Sequence, residues 1–152
     1  MIVIGIDPGV HTGFAIYSKI SKSIITHFEG TFWDVFYFLE LNIFPQYKVE
    51  QIEVVIENPA LQKGIFARYT KSIENSKNPR GTENAIRNSV GQNTRDAKLW
   101  IELFKLKKVK KIHEYKPTKS GQKWSKDFCK QVTGIASNSE HTRDAIRLCF
   151  SK

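Results

Sequence analysis

The sequence has few of the residues that build disulfide scaffolds, zinc sites or membrane spans. Its only two cysteines in 152 residues are Cys129 and Cys149, which do not form a CxxC pair, so a zinc site is not expected. Two thiols without a secretory signal are typical of a reducing, intracellular location. No apolar run reaches the roughly 18 residues that a membrane span requires. Met1–Asp7 lacks the basic region and cleavage site of a signal peptide, so we expect an intracellular protein.

Acidic residues are also scarce relative to basic ones. Against 24 lysines and arginines stand 15 aspartates and glutamates, a formal charge of +9. This excess suits a polyanionic partner, either nucleic acid or an anionic membrane surface. No basic amphipathic helix with an apolar face is evident, so nucleic acid is favoured and no membrane partner is expected. The length fits one domain over residues 1–152.

The order of the predicted elements indicates an α/β fold. Apolar and β-branched segments predict five strands, at Met1–Asp7, Gly13–Ser18, Ser23–Phe28, Gln51–Glu57 and Lys110–Tyr115. Helical spacing predicts four helices, at Phe32–Asn42, Thr82–Phe104, Ser125–Thr133 and Glu140–Phe150. The first three strands form an antiparallel meander and the later two are parallel. The prediction is a five-stranded mixed sheet with helices on its faces.

Four polar residues stand apart from this scaffold. Asp7 and Glu57 each end a predicted strand, and His141 and Asp144 share one helix face because they are three residues apart. Active sites of open α/β sheets gather at such strand ends. Each signal has an ordinary alternative: a turn at Asp7, a solvated strand end at Glu57, and a polar helix start at His141.

Carboxylates gathered from two strands and a helix would repel one another unless a cation neutralised them. Carboxylate oxygens suit Mg²⁺, and Mn²⁺ also accepts an imidazole. In a basic protein, acids that face a phosphodiester predict phosphoryl transfer with two metal ions, which would lie roughly 3.5–4 Å apart. The sequence therefore predicts an acidic metal site within a positively charged surface.

The motifs resemble those of RuvC-type Holliday-junction resolvases, in the same order along the chain. GIDPGVHTG at Gly5–Gly13 is similar to the family's first motif, and VVIE at Val54–Glu57 is similar to its second acidic motif. SVGQN at Ser89–Asn93 resembles the glycine-bearing helix that follows. EHTRDA at Glu140–Ala145 resembles the C-terminal motif in its His-x-x-Asp form.

The resemblance implies a ribonuclease H-like fold and a homodimer that acts on branched DNA. It implies symmetrical nicks in four-way junctions, with 5′-phosphate and 3′-hydroxyl ends. Asp7, Glu57, His141 and Asp144 match the family's catalytic, metal-binding set, with Asp7 bridging both ions. Whether His141 binds metal or assists the departing oxygen stays open, and many family members carry Asp there.

A basic stretch runs from residue 105 to residue 130. It holds ten lysines and two acids, a local charge of +8. About half of these lysines are interpreted as a solvated helix end and strand edge. Lys119, Lys123 and Lys126, which flank a loop and Trp124, are predicted to contact DNA phosphates. Trp124 is also predicted to bind DNA.

The segment from residue 58 to residue 81 has no clear period and is longer than the family's usual loop. A long stretch of this kind is usually functional or mobile. We predict DNA contacts from Phe66, Arg68, Tyr69 and Arg80. In the resembled family an aromatic near this place wedges into the junction centre, and here Phe66 or Tyr69 is the candidate. The alternative is that these rings pack the loop against the core.

Three residues carry predictions about packing. Trp33 and Trp100 are predicted in the core or a dimer interface, and Gly91 in a close helix contact.

Two functions compete with junction resolution. They are a non-catalytic module that binds branched DNA and a ribonuclease H-like nuclease for RNA–DNA hybrids. The first binds a junction without cutting it, and the second prefers the hybrid.

Overall fold

The structure is a computed structural model that describes residues 1–62, 72–117 and 122–151. Its five strands are β1 Ile2–Asp7, β2 Thr12–Ser18, β3 Ser23–Gly30, β4 Ile52–Glu57 and β5 Lys111–Tyr115. Its longer helices are α1 Phe32–Phe38, α2 Pro79–Leu106, α3 Lys126–Thr133 and α4 Glu140–Cys149. A π-helical turn, Leu39–Ile43, continues α1, and short 3-10 turns lie at Val49–Gln51 and Pro59–Leu61. No helix in the described ranges is long and apolar enough to cross a membrane.

The strands form one mixed sheet in the order β3-β2-β1-β4-β5. β2 pairs antiparallel with both β1 and β3, whereas β4 pairs parallel with β1 and β5. Strand β1 is therefore central, and all six of its residues are buried, as its unbroken apolar run predicts. The predicted five-stranded sheet, with three antiparallel strands and then two parallel ones, is confirmed.

The two faces of the sheet carry separate apolar clusters. Ile2, Ile4 and Ile6 of β1 pack on one face with Trp100 and Phe104 of α2. The alternate residues of β1 point to the other face, because side chains alternate along a strand. There Val3 packs with Val55 of β4 and with the buried side of α4. Helix α4 thus covers the face to which Asp7 also belongs.

Two glycines allow α4 to lie directly against the sheet. A Cβ on Gly5 would collide with the carbonyl oxygen of Ala145, and a Cβ on Gly13 would collide with that of His141. Gly13 pairs with Asp7 across the β1–β2 ladder. Close approach at these positions therefore places the first turn of α4 over the end of β1.

Several sequence expectations differ from the structure in their details. Helix α2 begins at Pro79 rather than Thr82, because the Asn78 side chain caps it and proline suits the first helical position. Trp33 is 59% exposed, so the expectation of a core position is wrong, whereas Trp100 is fully buried. Among the described residues nothing lies within 4 Å of a Cβ placed on Gly91, so the expected close helix contact is not made by that part of the chain.

Candidate active site

Three carboxylates converge at one edge of the sheet. Asp7 ends β1 and Glu57 ends β4, and these strands are parallel neighbours with Ile6 beside Ile56. Asp144 reaches the same edge from α4, which begins after a Ser139 cap that accepts the Thr142 N–H. Asp7, Glu57 and Asp144 are 7%, 8% and 1% exposed, so three acids share a largely buried site. The solvated strand end considered for Glu57 is not what the structure shows.

His141 is bonded to the central carboxylate. Its Nδ1 lies 2.8 Å from Asp7 Oδ2, and the imidazole is about half exposed. The hydrogen bond to Asp7 raises the pKa of His141, and the charge of Asp7 raises it further. Burial raises the pKa of Asp7, more than the bond to His141 lowers it. The pKa values of both groups are therefore raised.

Glu57 carries the clearest electrostatic signature of the site. Burial, together with the charges of Asp7 and Asp144, raises the pKa of Glu57 to about 7. Arg147 and Lys123 offset only part of this effect. A carboxyl group that is half protonated near neutral pH is typical of functional sites, where burial and like charges are concentrated.

Two cations flank Asp144. Lys123 Nζ lies 2.8 Å from Asp144 Oδ2 and also donates to Glu140. Arg147 approaches Asp144 Oδ1 to 3.5 Å through Nε and bonds Glu57 Oε2 at 3.3 Å through Nη2. Neither oxygen of Asp144 has a hydrogen bond of good geometry within the described residues. A fully buried carboxylate held by ion pairs alone can accept further hydrogen bonds.

The donor set fits a hard divalent cation in its chemistry. Carboxylate oxygens with one imidazole nitrogen suit Mg²⁺ or Mn²⁺, and a cation that binds Asp144 would replace the ion pairs that Lys123 and Arg147 make with it. Among the described residues, no three His, Cys, Asp or Glu side chains stand close enough together to hold one ion as they are placed. The acids are instead paired with His141, Lys123 and Arg147.

The predicted DNA contacts lie in different surroundings. Phe66, Arg68, Tyr69 and Lys119 fall outside the described residues. Arg80 and Lys126 are exposed in the first turns of α2 and α3, as a surface contact requires. Trp124 packs on Phe128 and Phe150 with ring centroids 5.3 and 5.7 Å apart, so its ring is part of the second apolar cluster.

Two charged residues near the site escaped the sequence reasoning. Glu29 is the penultimate residue of β3, which is two residues longer than predicted. It accepts a hydrogen bond from Ser139 and faces His11 at 3.7 Å. Arg147 follows Asp144 by three residues. That spacing on a helix is the signal that could have found Arg147, because it puts both side chains on one face.

The chain was compared with known proteins by sequence and by structure. No protein-family model matches it, and no curated protein matches its sequence. Its structure superposes on that of T. thermophilus RuvC in complex with Holliday junction substrate, with a TM-score of 0.57. The protein has a RuvC-like fold. The superposition covers 99% of this chain and 91% of that chain at 13% sequence identity, and it confirms the predicted ribonuclease H-like fold.

Proposed function

We propose that the protein is a metal-dependent endodeoxyribonuclease that resolves four-way DNA junctions by paired, symmetrical nicks. The observation that carries the proposal is the convergence of Asp7, Glu57 and Asp144 with His141 at one edge of the sheet. Acids concentrated in a protein of charge +9 suit chemistry on a polyanion. The RuvC-like fold supports this, since the similar structure holds a Holliday junction.

Asp7, Glu57, His141 and Asp144 would hold Mg²⁺ or Mn²⁺, two ions in each site. When bound, such ions supply Lewis-acid activation of water and neutralise phosphate charge. The side chains of the protein would position the reacting groups in a largely buried site. The 2.8 Å bond between His141 Nδ1 and Asp7 Oδ2 holds the imidazole ring, and Lys123 and Arg147 offset part of the repulsion among the buried acids.

Hydrolysis joins a water oxygen to phosphorus and breaks the bond from phosphorus to O3′. One proton leaves the water and one reaches O3′, which yields 5′-phosphate and 3′-hydroxyl ends. His141 is half exposed and its pKa is raised by the hydrogen bond to Asp7, so it is suited to exchange a proton with solvent or to bind metal through Nε2.

The basic surface would supply the affinity for the DNA backbone. Lys126 and Lys130 are exposed on α3, beside the Lys123 that reaches the acids. Lys107 is instead engaged by Glu40 at 2.5 Å and lies over the Phe44 ring, so it serves the fold. Arg80, with Phe66, Arg68, Tyr69 and Lys119, completes the proposed DNA contacts. Phosphate binding of this kind weakens steeply as salt rises.

Paired nicks require two active sites, and α2 offers a surface for a second copy. None of its residues from Pro79 to Asp96, all of them described, is buried, whereas Ala97, Trp100 and Phe104 are. Ala85, Ile86, Ser89 and Val90 line a shallow depression there. We propose a homodimer through this half of α2. The two buried, free thiols are compatible with action in a reducing, DNA-containing compartment.

The proposal is tested by offering several substrates to the protein side by side. A four-way junction, a matched linear duplex, a flap and an RNA–DNA hybrid would be incubated with Mg²⁺ or Mn²⁺. We expect cleavage of the junction at a rate at least about tenfold above that of the duplex. Equal cutting of plain duplex would contradict junction resolution. Preference for the hybrid would favour a ribonuclease H-like activity, and binding without cutting would favour a DNA-binding module.

A further inference from the structure

Arg147 lies between two of the three buried carboxylates. Its Nη2 donates to Glu57 Oε2 at 3.3 Å, and its Nε faces Asp144 Oδ1 at 3.5 Å. The side chain is 17% exposed, so these contacts are made largely away from water. Nε has no hydrogen bond of good geometry within the described residues. The guanidinium therefore faces both acids and is bonded well to only one.

A guanidinium suits this position for physical reasons. It is planar, always charged and carries its donors in a fork, so one group can face two carboxylates at once. The Lys123 ammonium is a compact point charge that pairs with Asp144 and Glu140. Without the guanidinium, ionised Glu57 would lose the cation that it bonds and would face Asp7 and Asp144 as like charges in a buried site, which is unfavourable.

The two acids that Arg147 faces are also two of the proposed cation ligands. An ion that binds both must take over the charge compensation that the guanidinium provides. Lys123 faces the other oxygen of Asp144 at 2.8 Å, so that carboxylate has a cation on each side. The same electrostatics that keep the acids assembled therefore oppose the entry of another positive charge.

We propose that Arg147 is a positioning residue that acts as a resident counter-ion. It holds Glu57 and Asp144 in place and competes with a divalent cation for them. The inference rests on the proposed function, in which these carboxylates bind metal. It adds that Arg147 sets the cation concentration at which the site fills.

The test measures the affinity of the protein for Mn²⁺, without DNA, by a calorimetric titration. Arg147→Met removes the charge and keeps an apolar stem, and we expect Mn²⁺ to bind it about tenfold more tightly or better than wild type, the effect of one nearby unit charge. In EDTA the melting temperature of the same variant should lie several degrees below that of the wild-type protein, and Mn²⁺ should reduce this difference. Arg147→Lys, which keeps the charge, should bind Mn²⁺ close to the wild-type affinity.

Arg143→Met is the matched control. Arg143 lies on the same helix, and its substitution removes the same charge. Its guanidinium donates to the backbone carbonyls of Trp124, Ser137 and Asn138 rather than to the acids. Its loss should lower the melting temperature with and without Mn²⁺ and leave the Mn²⁺ affinity within about twofold of wild type. Arg147→Gln provides a second neutral variant that retains a polar group.

Unchanged or weaker Mn²⁺ binding by Arg147→Met and Arg147→Gln would overturn the proposal. So would their failure to fold both with and without Mn²⁺, because an exchangeable counter-ion can be replaced by the metal. Folding only with Mn²⁺ would support it. Absence of Mn²⁺ binding by wild type would overturn it together with metal dependence. Tighter binding by Arg147→Met in a protein that cuts no junction would support the counter-ion role and reject the proposed activity.

Discussion

Asp7→Asn is expected to abolish cleavage of four-way junctions while leaving junction binding intact. Asp7 lies at the centre of the site, bonded to His141 at 2.8 Å and electrostatically coupled to Asp144. Asparagine has almost the same shape, but it removes the charge that would bridge two ions. Because metal ions supply several kcal/mol of transition-state stabilisation, we expect the single-turnover rate to fall by at least about 10³-fold.

The same experiment separates chemistry from binding. Binding would be measured by gel shift in EDTA or Ca²⁺, where the wild-type protein and Asp7→Asn should have affinities within about threefold, since phosphate contacts dominate. Asp127→Asn, an identical change at an exposed acid of α3, is the control and should cut normally. Cleavage by Asp7→Asn at the wild-type rate would remove Asp7 from the catalytic set.

Glu57→Gln is expected to stabilise the metal-free protein at alkaline pH while it abolishes cleavage. The pKa of Glu57 is raised to about 7 from an ordinary value of 4.5, chiefly by burial. The folded state thus holds this proton more tightly than the unfolded state does. The free energy of unfolding should fall as pH rises from about 4.5 to about 7 and change little through this group above that range.

This shift in pKa corresponds to roughly 3 kcal/mol for the ionised group. Glu57→Gln should therefore gain up to about 3 kcal/mol over wild type in urea unfolding at pH 8 with EDTA, and much less at pH 5. Glu50→Gln, at an exposed position, is the control and should show no gain. A Glu57→Gln protein that is less stable than wild type at pH 8 would show that the carboxylate stabilises the site rather than straining it.

The sheet could be predicted because its strands carry strong, local signals. The apolar run of β1 and its ending at Asp7 indicate a buried strand with a polar terminus, and β4 repeats the pattern before Glu57. The helix that bears His141 and Asp144 was predicted from its spacing, and in the structure Ser139 caps it. These elements were sufficient to predict which strand ends and which helix face form the candidate site.

Other features depend on contacts between distant parts of the chain. Gly5 and Gly13 look like ordinary glycines of a motif, yet both are required for α4 to approach the sheet. Trp33 shares helical spacing with core residues but lies on the outer side of α1. Arg147 becomes part of the site only because β4 brings Glu57 beneath α4. No local pattern specifies which side of a helix meets which strand end.

If the protein resolves junctions as proposed, each site of the dimer cuts one of two opposed strands. Paired cutting of this kind is tested most directly by mapping the nicks at nucleotide resolution in a single four-way junction cut with Mg²⁺. We predict one nick in each of two strands, placed symmetrically about the branch point, with 5′-phosphate ends that a ligase reseals. Nicks at unrelated positions, or equal nicking of the arms far from the branch point, would contradict the claim.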